Sequence, residues 1–225
     1  MRQIVVGGVP LMVREGPSAR WDEGVAGEVI TGDCYRIGGW SPPNPVRILD
    51  VGGHIGCFSA WTARRLANAK IWAFEMMPDN FAVLTQNVGQ LPNVTATMAA
   101  LGDRDGRVQI VRATDNTGGN HAAWSAEQGD DTVACLDVAT IFDADGWAYV
   151  DCMKLDCEGS EFEIVQRIAS LPGGLRSRVG CIRAEVHAES TDPKHELLWS
   201  TLCEAFPYTD RTRLADGLWL VYAWR

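Results

Sequence analysis

The 225-residue sequence predicts an α/β domain with a mostly parallel sheet and helices on both faces. From residue 46 onward, short apolar runs alternate with stretches of helical periodicity, as in βαβ units. The run 46–51, VRILDV, is almost continuously apolar, which is typical of a parallel strand covered on both faces. Polar residues follow the ends of several runs, at the edge where open α/β sheets bind ligands.

The length indicates one domain, because 225 residues form one good core and are short for two. We divide the chain into an N-terminal extension, 1–45, and a main domain, 46–225. Residues 1–14 predict two short strands around a glycine turn, and a helical stretch follows near 21–31. Within the extension, residues 15–45 are expected to lie over the cofactor pocket.

The main domain begins as βαβαβ, half of a doubly wound sheet. Strands are predicted at 46–51, 70–75 and 94–99, with helices at 56–67 and 79–91 between them. The later elements are predicted as follows: strand 132–136, helix 137–143, strand 150–156, a helix with its apolar face at Ile164, Ile168 and Leu171, strand 179–186, helix 193–205 and a hairpin near 207–213 and 217–224.

The middle of the chain breaks this alternation. Residues 100–113 predict a turn at Asp103–Gly106 and an extra strand, and 114–131 is polar with several glycines. A loop of this length in a compact domain is usually functional or mobile. It is therefore either a lid that carries His121 and Trp124 towards a substrate or a disordered segment.

A glycine turn follows the first strand of the main domain. Gly52, Gly53 and Gly56 allow a tight turn, a close approach to a ligand and close packing of the next helix. Glu75 ends the following strand 23 residues after Gly52, at the spacing of an acidic side chain that accepts hydrogen bonds from ribose hydroxyls. The two features together indicate an adenosine ligand.

The loop favours a cationic ligand over a dinucleotide. It lacks the GxGxxG pattern, and Asp50 stands just before it, where it would repel phosphates and suit a cation. S-adenosylmethionine carries a sulfonium and an ammonium group. We therefore expect this cofactor in preference to NAD. The alternative hypothesis is an NAD-dependent oxidoreductase, and the position of Asp50 argues against it.

Five motifs occur in a characteristic order and spacing: ILDVGGHIGCFS, AFEMMPDNF, AALGDRDGRVQI, KLDCEGSEFEIV and IRAEVH. In these motifs the sequence resembles the FkbM-type S-adenosylmethionine-dependent methyltransferases, over roughly residues 25–190. The chain departs from the family at Gly52-Gly53-His54, usually Gly-Ala-Asn, and at Glu75-Met76, usually Glu-Pro. The resemblance implies a single-domain, Rossmann-like class I methyltransferase fold, with a seven-stranded sheet in the order 3-2-1-4-5-7-6.

The expected cofactor site combines the glycine loop, the acidic residue and the strand ends that the resemblance indicates. Its residues are Asp50, Gly52, Gly53, His54, Gly56, Glu75, Met76, Asn80, Ala100, Leu101 and Asp156.

Methyl transfer to a hydroxyl needs a group that accepts the hydroxyl proton. His187 is the first candidate for this general base, because an imidazole titrates near neutral pH and IRAEVH matches the family. Asp156 is its rival, and it can also orient the acceptor or hold the cofactor's ammonium. The structural alternative for His187 is a histidine bonded to a neighbouring backbone group.

Further candidates for the acceptor site come from the extension, the loop and the strand ends: Tyr35, Arg36, Trp40, His121, Trp124, Glu158 and Glu185. The same edge offers a candidate magnesium site at Asp156, Glu158 and Glu185. Lys154, in a central strand, is expected to be a buried partner for a carboxylate.

The net charge of −9 and a pI near 4.9 argue against a surface that binds nucleic acid. No run approaches the roughly 18 apolar residues of a membrane span, and no signal pattern begins the chain. We therefore expect a cytoplasmic protein with no membrane partner. Its seven cysteines contain no CxxC pair, which favours buried, reduced thiols.

Together these expectations describe an S-adenosylmethionine-dependent methyltransferase that modifies a hydroxyl oxygen of a sugar or other small natural-product scaffold. The oxygen preference is implied by the resemblance alone. The alternatives are an N- or C-methyltransferase on the same fold and a non-catalytic module that binds an adenosine cofactor. The short length indicates no separate substrate domain, so the acceptor is expected to be a small molecule or a group presented by another protein.

Overall fold

The structure is a computed structural model, and it describes residues 1–42, 45–111, 121–124, 131–187 and 192–225. The strands are β1 (Arg2–Val6), β2 (Val9–Val13), β3 (Val46–Val51), β4 (Ala69–Glu75), β5 (Val94–Met98), β6 (Ala100–Gly102), β7 (Gly106–Val111), β8 (His121–Trp124), β9 (Thr132–Asp137), β10 (Val150–Leu155), β11 (Val179–His187), β12 (Tyr208–Ala215) and β13 (Leu218–Trp224). The helices are α1 (Ala19–Ala26), α2 (Cys57–Arg65), α3 (Pro78–Val88), α4 (Ala139–Asp143), α5 (Glu161–Ala169), α6 (Gly174–Arg178) and α7 (Pro193–Ala205).

Seven strands form the central sheet, in the order β5-β4-β3-β10-β11-β13-β12. Neighbours from β5 to β11 are parallel, and β13 runs antiparallel to both β11 and β12. Numbered along the chain within this sheet, the order is the 3-2-1-4-5-7-6 that the resemblance implies. The direction of winding reverses between β3 and β10, which makes the carboxyl ends of these two strands the expected ligand site.

The middle of the chain forms a second sheet that the sequence analysis did not separate from the first. Strands β6, β9, β7 and β8 pair in that order. The expected strand 94–99 is wrong at its end, because β5 stops at Met98 and β6 starts a new sheet at Ala100. Alternating apolar residues, including Val108 and Ile110, give this sheet a small core of its own.

The N-terminal extension packs against the main sheet. β1 and β2 form the predicted antiparallel hairpin. Leu11 and Val13 are buried in the same cluster as Ile48 and Phe58, so the extension and the main domain share a core. The helical stretch predicted near 21–31 consists of α1 and a π-helical turn at Gly27–Thr31.

The remaining elements follow the predicted alternation, with shifted ends. Helix α4 begins two residues later than the predicted 137, and α6 was not predicted because it is a single short turn between Gly173 and β11. The closing hairpin of β12 and β13 confirms the prediction. Within the described residues, none of the helices has the length and apolarity needed to cross a membrane.

Candidate active site

A cavity of about 360 Å³ opens at the carboxyl ends of the central strands, where the winding reverses. It is bounded by α1 and its π-helical continuation, the glycine loop, the ends of β4, β10 and β11, and the second sheet. Its polar and charged lining residues are Glu28, Tyr35, His54, Glu75, Asn80, Asp156, Glu158, Ser160 and Glu185. A cavity of this size is in the range of small-molecule sites.

The glycine loop requires glycine where it meets β10. Gly52 has φ +78°, and a Cβ placed there would lie 1.7 Å from the Asp156 carbonyl oxygen. Lys154 Nζ donates a hydrogen bond to the Gly52 carbonyl at 2.5 Å. Gly56, with φ +86°, immediately precedes α2. These contacts bring the backbone of the loop to the floor of the cavity, as the sequence predicts.

Glu75 is buried at the end of β4 and lines the cavity. Its carboxylate accepts hydrogen bonds from the backbone N–H groups of His54 and Met77, both at 2.7 Å. Burial raises the pKa of Glu75 to about 7, although both backbone donors oppose the shift. The carboxylate is thus fixed in orientation, with lone pairs left to accept from ribose hydroxyls.

His54 lines the cavity in its neutral form. Burial lowers the pKa of the imidazole to about 4, with the Arg14 guanidinium adding to the shift and Asp22 opposing it. Arg14 donates to His54 Nε2 at 3.3 Å and to Asn80 Oδ1 at 2.9 Å. Through Arg14, the end of β2 therefore positions two residues of the expected cofactor site.

Asp50 does not contact the cavity, which corrects the role expected for it. Its side chain is fully buried in β3, accepts a hydrogen bond from Ser59 Oγ at 2.6 Å and lies 3.4 Å from Lys154 Nζ. The strand alternation places it beneath the loop. It therefore acts on a ligand only through Lys154, and the predicted carboxylate partner for Lys154 is confirmed.

Asp156 stands at the end of β10, on the cavity wall. Its Oδ2 atom accepts a hydrogen bond from the Tyr35 hydroxyl at 2.9 Å and lies 3.5 Å from Lys154 Nζ. Burial alone would raise its pKa, but Lys154, His187 and the Tyr35 hydroxyl together hold the pKa of Asp156 below its usual value. Asp156 is thus an ionised, oriented acceptor of hydrogen bonds.

His187 is surrounded by carboxylates and is not among the residues that line the cavity. Its Nδ1 atom lies 3.4 Å from Glu161, and its Nε2 atom lies 3.4 Å from Glu185 and 3.5 Å from Glu158. Burial opposes protonation, but these three partners raise the pKa of His187 to about 11. An imidazolium has no lone pair to accept a proton. The surroundings therefore argue against the expected general base.

Two lining glutamates besides Glu75 also have raised pKa values. Burial, assisted by Asp156 and neighbouring glutamates, raises the pKa of Glu158 to about 7, while His187 opposes the shift. Burial raises the pKa of Glu28 as well, with contributions from Glu185 and Asp156. A carboxyl that titrates near neutrality is matched to proton transfer at physiological pH.

Asp156, Glu185 and His187 are the described residues grouped closely enough to share a metal ion, with one donor atom from each within 4.8 Å of the others. Glu158, which the sequence analysis included in a magnesium site, is not in this group. The donor set has an imidazole nitrogen in place of the third carboxylate. Magnesium prefers oxygen ligands, so the group fits this ion poorly.

The remaining expected residues divide into those at the cavity and those away from it. Met76, Ala100 and Leu101 line the cavity, as do Tyr35, Glu158 and Glu185. Gly53 and Gly56 do not line the cavity, and they instead allow close packing against α3. A Cβ on Gly53 would lie 2.7 Å from Leu84 Cδ1, and a Cβ on Gly56 would lie 3.3 Å from Leu84 Cγ.

Trp40 and Arg36 belong to the extension, but they contact β11 and β12 of the main domain and not the cavity. The Arg183 guanidinium lies 5.3 Å from the centre of the Trp40 ring. Arg36 pairs with Asp210 at 2.8 Å. His121 and Trp124 belong to β8, but their side chains lie outside the described residues, as does most of the predicted lid. Ala122, between them, contributes to the cavity wall.

Several lining residues were missed by the sequence analysis. Trp21, Val25 and Glu28 reach the cavity from α1 and the π-helical turn after it, and Cys157 follows Asp156. The sequence does contain a signal for the first three: Trp21, Val25 and Glu28 have i, i+4 and i+7 spacing, which places them on one helix face. That spacing alone does not say what the face covers.

The sequence matches the model of one known family, described as the methyltransferase FkbM domain, over residues 50–205. One relative, the methyltransferase sdnD of Sordaria araneosa, is 36% identical over 86 residues, and the match covers 37% of this chain and 32% of that protein. The chain thus spans about a third of this relative. A solved structure, the precorrin-6y C5,15-methyltransferase of Geobacter metallireducens, has the same fold, with a TM-score of 0.51, 11% identity and 88% of each chain covered. Because the family match extends over more than half of the chain, this protein belongs to the FkbM methyltransferase domain family.

Proposed function

We propose that this chain transfers the methyl group of S-adenosylmethionine to a hydroxyl oxygen of a small acceptor, such as a sugar or another natural-product scaffold. The observation that carries the proposal is the cavity where the winding reverses, with Glu75 on one side, Asp156 on the other and the glycine loop between them. Membership of a methyltransferase family supports the reaction type.

In this proposal the cofactor spans the cavity. Glu75 accepts hydrogen bonds from the ribose hydroxyls, and Met76 and Leu101 cover the adenine. The methionine part lies over Gly52, which lines the cavity. Its ammonium is held by Asp156, whose lowered pKa keeps it charged. Placing the sulfonium methyl in line with an acceptor oxygen supplies much of the rate enhancement.

The reaction forms an oxygen–carbon bond to the methyl group and breaks the carbon–sulfur bond. The electron pair of the broken bond stays on sulfur, giving S-adenosylhomocysteine and a methyl ether. We assign the hydroxyl proton to Glu158, which lines the cavity and has a pKa of about 7. His187, held as a cation, instead orients Glu158 and Glu185. No step passes through a metal ion, because the available donor set fits magnesium poorly.

The proposal includes a cytoplasmic location and a small-molecule acceptor. All seven cysteines are in the described part of the chain and none is in a disulfide, even though Cys152 and Cys181 face each other on neighbouring strands. This arrangement suits a reducing compartment. The acidic cavity wall and the net charge of −9 are unsuited to a nucleic acid.

The test begins with calorimetric titration of the purified protein with S-adenosylmethionine, S-adenosylhomocysteine and NAD. We expect micromolar binding of the first two ligands and none of NAD, and failure of the sulfonium compound to bind would refute the proposal. Transfer is then followed with methyl-¹³C cofactor, since the carbon shift of the product distinguishes O-, N- and C-methyl groups. An N- or C-methyl product would refute the oxygen assignment.

The variant Glu158→Gln tests the proton acceptor. We expect a loss of about 100-fold in kcat, within the usual range for removal of a general base, and unchanged affinity for S-adenosylhomocysteine. Glu163→Gln is the matched control, because Glu163 lies on α5 and pairs with Lys194 at the surface. If Glu158→Gln and the control had equal activity, the assignment to Glu158 would be wrong.

A further inference from the structure

The cavity wall is acidic. Its carboxylates come from five lining residues: Glu28, Glu75, Asp156, Glu158 and Glu185. No lysine or arginine is found among the lining residues in the described part of the chain. Because carboxylates that face one space repel each other, such a wall favours a cation within it.

The cations beside the wall already have partners. Lys154 lies between Asp50 and Asp156, and His187 lies among three glutamates. The Arg20 guanidinium lies 5.1 Å from the centre of the ring of Trp21, a lining residue, although Arg20 itself is not part of the lining. S-adenosylmethionine brings two positive groups and one carboxylate. Carboxylates therefore still outnumber cations after the cofactor binds.

Glu28 and Glu185 reach the cavity from different elements. Glu28 shares one helix face with Trp21 and Val25, and all three line the cavity. Glu185 lies near the end of β11, and Leu218 of β13 lines the cavity as well. Within the described chain, the Glu28 carboxylate has no ion pair. Two carboxylates on a wall with an aromatic and an aliphatic surface suit an organic ammonium better than a compact ion.

We propose that the acceptor is a small amino alcohol, whose ammonium group is held by Glu28 and Glu185 while its hydroxyl faces the methyl group. This inference rests on the proposed methyl transfer and names its substrate class. An amine held as an ammonium ion has no lone pair and cannot attack. The hydroxyl oxygen is therefore the nucleophile: it bonds to the methyl carbon, the carbon–sulfur bond breaks and the hydroxyl proton passes to Glu158.

Three probes of one ring shape test the charge preference: glucosamine, glucose and glucuronate. Each is titrated by calorimetry into the protein saturated with S-adenosylhomocysteine, so that only the acceptor side is measured. We expect glucosamine to bind about tenfold more tightly than glucose, because charge-assisted hydrogen bonds are stronger than neutral ones, and glucuronate to bind more weakly than glucose. The preference for glucosamine is expected to shrink in high salt.

The variants Glu28→Gln and Glu185→Gln are each expected to remove most of the preference without changing S-adenosylhomocysteine affinity. Glu23→Gln is the matched control, since Glu23 is an exposed residue of α1 that pairs with Arg2. Equal binding of glucosamine and glucose, with S-adenosylhomocysteine bound normally, would overturn the inference alone. Failure to bind S-adenosylhomocysteine would instead refute the proposed function.

A titration with Mn²⁺ distinguishes an organic cation from a metal ion. The wall would be a metal site if Mn²⁺ bound at micromolar concentration, if the Glu185→Gln variant no longer bound Mn²⁺, and if bound Mn²⁺ abolished glucosamine binding. That result would overturn the inference. We expect Mn²⁺ to leave glucosamine binding unchanged. A hydroxyl-methylated product from glucosamine with methyl-¹³C cofactor would support the amino-alcohol class directly.

Discussion

Lys154 Nζ lies 3.4 Å from Asp50 and 3.5 Å from Asp156, and so joins the ends of two adjacent central strands. The lysine side chain is only 4% exposed. Its pKa is above the usual value, because the two carboxylates outweigh the burial that opposes protonation. This buried ion pair fixes the floor on which the cofactor is proposed to bind.

Replacing this lysine leaves two carboxylates without their cation. We expect Lys154→Met to lower the free energy of unfolding by about 3–5 kcal/mol, the usual cost of breaking a buried ion pair. Urea unfolding measures the change. The control is Lys70→Met on the exposed side of β4, which should stay within about 0.5 kcal/mol of the wild type. Equal stability of the two variants would contradict the structural role of Lys154.

The glycine at the start of the loop can be tested against another glycine of similar conformation. Gly52 and Gly8 have φ of +78° and +81°, but a Cβ on Gly8 meets nothing within 4 Å. Gly8→Ala should therefore lower the free energy of unfolding only by the backbone strain, about 1–2 kcal/mol. Gly52→Ala adds a clash with the Asp156 carbonyl.

We expect Gly52→Ala to unfold at a distinctly lower urea concentration than Gly8→Ala and to lose binding of S-adenosylhomocysteine. Urea unfolding and calorimetry measure the two effects. If the two variants had the same stability and both bound the ligand, the close approach of the loop to β10 would be refuted.

The pKa of Glu75 predicts that adenosine binding depends on pH. Its pKa in the free protein is about 7, and only the ionised carboxylate accepts hydrogen bonds from both ribose hydroxyls. Affinity should therefore rise with pH up to about 7 and level off above it, and it should be about tenfold weaker one unit below. The ligand to use is 5′-methylthioadenosine, which has no amine or carboxyl to titrate in this range.

The matched variants separate Glu75 from the other carboxyl that titrates near neutrality. Glu75→Gln should bind weakly at every pH, and Glu158→Gln should keep the pH dependence of the wild type. Binding by wild-type protein that is independent of pH would rule out Glu75 as the ribose ligand.

The sequence predicted the central sheet well because its strands have local signals. The apolar run before Gly52 and the glycine turn after it report burial and a tight bend, both of which depend on neighbouring residues alone. The second sheet had weaker signals, since β6 has three residues and pairs with a strand more than 30 residues later. Such pairings depend on tertiary packing that no local pattern reports.

The sequence predicted where the candidate site lies, but it did not predict the charge state or the orientation of some of its side chains. Glu75, Asp156 and Glu185 stand at strand ends, which the sequence locates, and all three line the cavity. The charge state of His187 depends on Glu185 of its own strand and on Glu158 and Glu161 from the segment that follows β10, so the sequence around His187 alone could not give it. Asp50 was misplaced because strand alternation decides whether a residue at a strand end faces the ligand or the layer below.

The raised pKa of His187 predicts that the free energy of unfolding falls as pH rises above neutrality. Its pKa is about 11 in the folded protein against 6.5 for a free imidazole, so its contribution is complete below about pH 6.5 and is lost as pH rises through 11. Between about pH 7 and 8.5 the unfolded chain releases this proton while the folded chain keeps it. The free energy of unfolding should then fall by about 1.4 kcal/mol per pH unit on account of His187.

We expect His187→Gln to flatten this slope. The buried cysteines also lower stability at alkaline pH, because burial raises the pKa of thiols such as Cys34 and Cys57 to about 12 in the folded state. Their effect is common to both proteins, so the difference between wild type and variant isolates the histidine. Urea unfolding at several pH values measures it. Parallel slopes for the two proteins would show that His187 is not held as a cation, and the general-base role would then regain support.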